Sequence, residues 1–134
     1  MTFLDTNVLI YSVDGKEPIK QPTARAIVAK AIDEGGFLLS AQVLNEFSNI
    51  ALGKLKMTIP EVRDFISMFS RIGTVPLATD WTDKALLIKE RYGIQFFDSL
   101  LLVAASENDC NKILTEDLAD GQVYCGIKAV NPFK

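Results

Sequence analysis

Short apolar segments alternate with longer stretches of helical spacing along the chain, and this alternation restricts the fold more than any other feature of the sequence. The segments that predict strands are Thr2–Leu4, Phe37–Leu39, Thr74–Ala78, Lys112–Thr115 and Gln122–Val130. The stretches that predict helices are Pro22–Glu34, Ser40–Leu52, Thr58–Ile72, Asp80–Tyr92 and the stretch that begins at Asp98. Buried apolar strands that alternate with amphipathic helices are typical of a parallel sheet with helices on both faces. The sequence therefore predicts an α/β domain.

Several helix ends are marked by residues that commonly cap helices. Gly35 and Gly93 follow predicted helices, where glycine accommodates the left-handed backbone of a C-terminal cap. Thr58 and Glu61 have the spacing of a capping box. No repeat, low-complexity tract or linker interrupts the series, so residues 1–134 are expected to form a single domain.

The sequence contains no histidine, and this excludes several classes of catalytic and metal site. Ser-His-Asp and Cys-His nucleophiles, histidine acid–base pairs and histidine-containing zinc sites all require that residue. The formal net charge of −3 also indicates that the chain does not coat nucleic acid through bulk positive charge. Any contact with nucleic acid must therefore be local.

The cysteines and the first residues of the chain favour a reduced, cytoplasmic protein. Cys110 and Cys125 form neither a CxxC motif nor a zinc quartet, and one pair in a chain of 134 residues is not a disulfide framework. The N-terminal segment has no basic stretch and carries Asp5 within its apolar run. Neither a signal peptide nor a membrane span is expected from this pattern.

Four carboxylic acids stand at positions where such a fold binds ligands or where a charge is costly. Asp5 follows the first predicted strand and Asp117 follows the strand Lys112–Thr115. Ligands of parallel α/β folds bind beyond the carboxyl ends of the strands. Glu46 borders the apolar stripe of its helix, and Asp98 begins the most apolar helix of the chain.

Each of these acids also has a purely structural explanation. Asp5 and Asp98 could cap helices, Glu46 could cover apolar surface with its stem, and Asp117 could belong to a polar turn with Glu116. Buried carboxylates nevertheless need a partner, and the sequence offers no histidine or nearby arginine. Mg²⁺ or Mn²⁺ would satisfy all the acids together, because both ions prefer oxygen ligands. Such a site suits phosphodiester hydrolysis.

Four acidic motifs follow one another along the chain. They are FLDTNVLIY at residues 3–11, SAQVLNEF at 40–47, FFDSLLLVAA at 96–105 and LTEDLADGQ at 114–122. In this order they closely resemble the motifs of PIN-domain ribonucleases. The resemblance implies that Asp5, Glu46, Asp98 and Asp117 are the catalytic, metal-binding acids, with Glu116 as an auxiliary or alternate ligand.

The resemblance to PIN-domain ribonucleases also implies a fold, an activity and partners. The implied fold is a three-layer α/β/α sandwich with a mostly parallel sheet of four or five strands. Thr6, Asn7 and Thr115 stand where the family places small polar residues that support the acids. Length and the EDLADGQ ending are most similar to VapC toxins, which implies an Mg²⁺-dependent endoribonuclease that cleaves RNA, forms a homodimer and is inhibited by a VapB-type antitoxin.

Three other functional classes are compared with the sequence. Aspartyl-phosphate phosphatases carry DxDxT after the first strand, and receiver-like domains need an acidic pair there; this chain has the single acid Asp5, followed by Thr6 and Asn7, which argues against both. A non-catalytic RNA- or protein-binding module is the third alternative. In such a module the acids would only cap helices, and Lys54 and Lys56 would contact phosphates.

The predicted helix Thr58–Ile72 carries more apolar side chains than one stripe against the core requires. These side chains are Ile59, Val62, Phe65, Ile66, Met68 and Phe69. They fit either a well-buried core helix or a surface that lines a groove for an antitoxin segment or a second copy of the chain.

Overall fold

All six strands join one sheet in a computed structural model that describes residues 1–134. The strands are β1 (Thr2–Leu4), β2 (Phe37–Ser40), β3 (Gly73–Val75), β4 (Lys112–Leu114), β5 (Val123–Tyr124) and β6 (Ile127–Val130). Their order is β3-β2-β1-β4-β6-β5, and only β5 runs antiparallel to its neighbour. The five parallel strands confirm the predicted mostly parallel sheet, and β5 adds a sixth strand of two residues at one edge.

Six helices connect the strands and cover both faces of the sheet. They are α1 (Thr6–Val13), α2 (Lys20–Glu34), α3 (Ala41–Gly53), α4 (Ile59–Phe69), α5 (Trp81–Tyr92) and α6 (Phe96–Glu107). The helices α1 to α4 lead from β1 through β2 to β3, whereas α5 and α6 lead back across the sheet to β4. Because parallel crossovers are right-handed, this reversal places α5 and α6 on the face opposite to α1–α4. The predicted three-layer arrangement is therefore confirmed.

Helix α1 is the element that the hydrophobic pattern does not predict. It spans only eight residues, and its apolar run continues directly from β1, so no change of periodicity separates strand from helix. The helix begins after Asp5, whose backbone is extended and whose carboxylate accepts a hydrogen bond from the Thr6 backbone N–H at 2.6 Å. Asp5 therefore ends the strand and caps the helix.

The predicted helix caps form in part. At α4, the Thr58 N–H donates to Glu61 Oε1 at 2.9 Å and the Glu61 N–H donates to Thr58 Oγ1 at 3.3 Å, which completes the capping box. Gly93 ends α5 in the left-handed conformation at φ 69°. Ser40 and Asp80 occupy N-cap positions without a side-chain capping bond.

Two predicted elements end three residues earlier in the structure, and the predicted strand Gln122–Val130 divides into the antiparallel strands β5 and β6. Helix α4 ends at Phe69 because Ile72 already belongs to a turn, in which its N–H donates to the Phe69 carbonyl at 2.9 Å. Strand β3 ends at Val75 and does not reach Ala78. Pro76 follows, and proline has no N–H to continue the ladder.

The core contains a fully buried helix and an aromatic cluster. Every residue of α6 from Ser99 to Ala105 is buried, as its apolar sequence predicts. Phe47 of α3 is 0 % exposed and packs edge-to-face against Phe69, with ring centroids 4.9 Å apart. No helix has the length and apolar composition needed to cross a membrane.

Truncation of Phe47 should destabilise the protein strongly. We expect Phe47→Ala to lower the free energy of unfolding by about 3–5 kcal/mol, because it removes a buried ring and leaves a cavity in a packed cluster. Phe97 is the matched control, since its side chain is 62 % exposed. Phe97→Ala should change the free energy by less than about 0.5 kcal/mol. Urea denaturation measures both, and similar losses would contradict the placement of Phe47 at the centre of the core.

Candidate metal centre

The site lies where the chain changes direction across the sheet. β1 and β4 are adjacent and parallel, with Leu4 paired to Leu114. The connection that leaves β1 leads toward β2, on the side away from β4. Such a switch point leaves a crevice at the carboxyl ends of the two strands, and ligands of open α/β sheets bind there. Asp5 and Asp117 follow these two strands and therefore stand at the crevice.

Three of the predicted acids converge at this crevice. One carboxylate oxygen from each of Asp5, Asp98 and Asp117 lies within 4.8 Å of the others. Asp98 reaches the cluster from the first turn of α6. Asp5 is buried, Asp98 is half-buried and Asp117 is exposed, so the cluster opens to solvent on one side.

Glu46, the fourth predicted acid, lines the same cavity from α3. The cavity has a volume of about 300 Å³, and all four acids contribute to its wall. Glu46 stands beside the group of three and not within it. Its Oε1 accepts a hydrogen bond from Gln42 Nε2 at 2.8 Å, which fixes the carboxylate along the helix.

Thr115 connects the two strand ends. Its hydroxyl donates to Asp5 Oδ2 at 2.5 Å and accepts from the Asp117 backbone N–H at 3.1 Å. Thr115 is 1 % exposed, so this chain of hydrogen bonds is shielded from water. The side chain therefore holds the acids of β1 and β4 in register.

Asn7 and Thr6 support the acids from the start of α1. Asn7 Nδ2 donates to Asp5 Oδ2 at 3.3 Å and to Asp117 Oδ2 at 3.1 Å. Asn7 Oδ1 is buried without a hydrogen-bond partner and lines the cavity, whereas the Thr6 side chain lies close enough to Glu46 to oppose the rise in the pKa of that carboxyl. The unsatisfied oxygen of Asn7 and the clustered carboxylates fit a hydrated divalent cation, whose waters would complete them.

Glu116 is not brought into the cluster. Its carboxylate accepts hydrogen bonds from Lys20 Nζ at 3.0 Å and from the Tyr11 hydroxyl. The structure thus directs the two neighbouring acids of the fourth motif to different partners, with Asp117 on the cavity and Glu116 on α1 and α2.

Burial and mutual repulsion raise the pKa of the clustered acids. Burial, followed by the charge of Asp117, raises the pKa of Asp5 to about 7 against the opposing hydrogen bond from Thr115. Burial and the charges of Asp117 and Glu46 raise the pKa of Asp98 to about 6. Burial also raises the pKa of Glu46, and the hydrogen bond from Gln42 opposes it. Such shifts are expected where buried carboxylates lie close together.

Gln42 is the site residue that the sequence analysis missed. It is 5 % exposed, and its Nε2 donates to Glu46 Oε1 and, at 3.1 Å, to the Phe97 carbonyl. The available signal was its position four residues before Glu46, which places both side chains on one helix face. Nothing in the sequence indicates its hydrogen bond with the Phe97 carbonyl of α6, because that contact depends on how α3 and α6 pack.

Comparison with known proteins assigns the fold and its acidic crevice to a family. The sequence profile of the PIN domain matches residues 2–119, and the chain belongs to the PIN-domain family. No curated protein is significantly similar to the chain in sequence.

Solved structures share the fold at low sequence identity. The toxin–antitoxin complex of Klebsiella pneumoniae matches with a TM-score of 0.74 and 16 % identity over 98 % of both chains. VapC20 of Mycobacterium tuberculosis, a toxin that cleaves the sarcin–ricin loop, matches with a TM-score of 0.66 and 13 % identity over 96 % of this chain and 99 % of its own. VapBC2 of Rickettsia felis, bound to a DNA fragment from its promoter, matches with a TM-score of 0.66 and 17 % identity over 96 % of both chains.

The raised pKa of Asp5 predicts the pH dependence of the metal-free protein. A folded-state pKa of about 7 against an unfolded value near 3.8 means that the folded state binds the proton more tightly. The protonated carboxyl of Asp5 therefore contributes to the free energy of unfolding. This contribution is fully present below about pH 4 and is lost as the pH rises to about 7. We therefore expect Asp5→Asn to stabilise the protein relative to wild type by a margin that grows across this window, on the order of 4 kcal/mol.

Denaturation at several pH values in a metal-chelating buffer measures this margin. Excess MgCl₂ should reduce or reverse it, because bound metal favours the ionised carboxylate of Asp5 in the wild type. If the free energy of unfolding changed with pH in the same way for the wild type and Asp5→Asn, the raised pKa of Asp5 would be contradicted.

Proposed function

We propose that this protein is a metal-dependent endoribonuclease and the toxin of a VapBC-type toxin–antitoxin pair. The observation that carries the proposal is the convergence of three aspartates within 4.8 Å at the switch point of a PIN-domain sheet. Residues 1–134 are proposed to act as one nuclease domain on RNA in the cytoplasm.

Asp5, Asp98 and Asp117 are the residues that would hold Mg²⁺ or Mn²⁺, with Glu46 beside them. A bound ion of this kind lowers the pKa of an attacking water and offsets negative charge on the phosphate. The chain itself keeps the acids in place, because Thr115 and Asn7 bind the carboxylate of Asp5 and reach Asp117 as well. Glu116 is kept from the cluster by Lys20, so we propose an auxiliary structural role for it.

Lys54 is proposed to grip the RNA backbone. It lines the acidic cavity at the end of α3 and forms no salt bridge with any of the acids there. An ammonium group at the edge of a carboxylate cluster can bind a phosphate that the cluster alone would repel.

Removal of one metal-binding charge should abolish cleavage without unfolding the protein. We expect Asp5→Asn and Asp98→Asn each to lower the rate of RNA cleavage in Mg²⁺ by at least about 100-fold, since even groups that only support metal ligands are worth 10- to 100-fold. Asp64→Asn is the matched control, because Asp64 is exposed on α4 and lines none of the acidic cavity. Gel electrophoresis of total RNA with and without Mg²⁺ measures the activity.

Calorimetric titration with Mn²⁺ separates catalysis from a non-catalytic role. The wild type and Asp64→Asn should bind the metal, whereas Asp5→Asn should bind it at least about 10-fold more weakly. Wild-type cleavage by a folded Asp5→Asn variant would overturn the nuclease mechanism. RNA binding without any cleavage by the wild type would instead favour a non-catalytic binding module.

The proposed antitoxin site is an apolar groove between α2 and α4. A cavity of about 440 Å³ is lined there by Val28, Ile32, Phe65 and Met68. Part of the apolar surface of α4 therefore faces this groove, which supports the alternative in which the helix contributes to a binding surface. Arg25 stands at the same cavity and offers a guanidinium to an acidic side chain of a partner. An amphipathic antitoxin segment fits such a groove.

Filling the groove should block the antitoxin and spare the nuclease. Ala29 is exposed and lines the cavity, so Ala29→Trp should lower antitoxin affinity by at least about 10-fold while RNA cleavage continues. Ala26→Trp is the matched control, because Ala26 is exposed on the same helix and does not line the cavity. The proposal requires a short DNA-binding protein encoded next to this gene, and co-purification of that protein with each variant is the measurement; equal capture by both variants would place the antitoxin elsewhere.

A second copy of the chain is the other proposed partner. Leu86 and Leu87 of α5 are 51 % and 60 % exposed, which supports an apolar contact between copies. Light scattering of the purified protein tests this proposal, because a homodimer has twice the monomer mass of 14.8 kDa.

A further inference from the structure

The acidic site continues into a second cavity on the side of α6. This cavity has a volume of about 500 Å³ and shares Glu46, Asp98 and Asp117 with the metal centre. Its other wall is the segment 93–97, which connects α5 to the first turn of α6. A strand of RNA with its phosphate at the acids would therefore extend into this second cavity.

Phe97 places an exposed aromatic ring at the wall of the second cavity. Its side chain is 62 % exposed, although it directly precedes the metal-site acid Asp98 in a mostly buried helix. The ring packs edge-to-face against Phe96, with centroids 5.4 Å apart, and keeps most of its surface open to solvent. The exposed ring therefore offers a face at the cavity wall on which a planar group can stack.

Gln42 holds this aromatic residue and the acidic site in a fixed relation. The same Nε2 donates to Glu46 at 2.8 Å and to the Phe97 carbonyl at 3.1 Å. Because Gln42 is buried, both bonds are shielded from water. The backbone of Phe97 is therefore positioned by the same side chain that positions Glu46.

The side of the second cavity away from the acids can contact a neutral, planar group. The acids of this cavity are those proposed to hold the metal, so contacts to such a group come from the segment 93–97. Gln95 adds an exposed amide that makes no side-chain hydrogen bond within the chain, so both its donor and its acceptor are available. An aromatic face beside such groups is the arrangement that binds unpaired bases in RNA.

We propose that the second cavity binds one unpaired nucleobase next to the scissile phosphate, with Phe97 stacking on the base and Gln95 contacting its edge. This inference rests on the proposed ribonuclease function and adds a substrate requirement to it. A base must leave its duplex to stack on Phe97, so the enzyme selects single-stranded segments or loops. Stacking accepts any base, and the Gln95 amide can donate to or accept from the edge of the stacked base.

The test compares variants on a short labelled RNA that carries the mapped cleavage site. Phe97→Ala should raise KM by about 5- to 100-fold with a smaller change in kcat, the range that the loss of one stacked base predicts. Phe97→Tyr should restore wild-type KM. Leu77→Ala is the matched control, since Leu77 is 45 % exposed and lines neither cavity, and it should leave KM unchanged.

An abasic scan of the same RNA locates the base. With the wild-type enzyme, removal of one particular base beside the cleavage site should raise KM, and removal of bases further away should not. In Phe97→Ala the penalty for that abasic position should disappear, because the ring that recognises the base is already missing. Equilibrium binding of uncleaved RNA to Asp5→Asn and to Asp5→Asn with Phe97→Ala gives the same comparison without catalysis.

The outcomes separate this inference from the proposed function. Failure of the wild type to cleave RNA in Mg²⁺ would overturn the ribonuclease itself. Normal cleavage with an unchanged KM in Phe97→Ala, or an abasic penalty that persists in that variant, would overturn the base-binding role alone. A loss of activity in Phe97→Ala that accompanies a halved mass in solution would identify Phe97 as a contact between copies of the chain, which also overturns it.

Discussion

Asp5 lies at the junction between β1 and α1 and is only 4 % exposed. Three neighbouring groups form hydrogen bonds with its carboxylate. The Thr6 N–H, the Thr115 hydroxyl and the Asn7 amide all donate to it. Burial raises the pKa of Asp5 to about 7 with the help of the Asp117 charge, and it outweighs the bonds from Thr115 and Thr6, which lower that pKa. The fold therefore gathers three carboxylates in an arrangement that is compatible with a divalent cation.

This arrangement depends on the topology of the sheet. β1 and β4 are far apart in sequence, yet their parallel pairing puts Thr115 within hydrogen-bond distance of Asp5 across 110 positions of the chain. The reversal of chain direction at this pair keeps helices out of the crevice at the strand ends. Asp98 then enters from α6, whose buried apolar stretch fixes the position of its first turn.

Neutral and basic side chains hold two of the neighbouring acids, Glu46 and Glu116, in place. Gln42 joins α3 to the start of α6 through one amide, and Lys20 with Tyr11 keeps Glu116 away from the aspartates. Without these contacts, further acids could approach the cluster and increase its repulsion. The number of carboxylates at the centre is thus set by neutral and basic neighbours as well as by the acids.

Local chemistry made much of this protein predictable from its sequence alone. The alternation of strands and helices determined the parallel α/β sheet, and acids placed directly after strands marked Asp5 and Asp117, because the carboxyl ends of parallel strands share one edge. Helix α1 escaped prediction, since its apolar run continues that of β1 without a change of period.

Only the tertiary structure decided which neighbours meet. The choice between Glu116 and Asp117 followed from the positions of Lys20 and Asn7, and the role of Gln42 followed from the approach of α6 to α3. These contacts join residues distant in sequence, and their distances depend on how whole helices pack, which no local pattern of residues encodes.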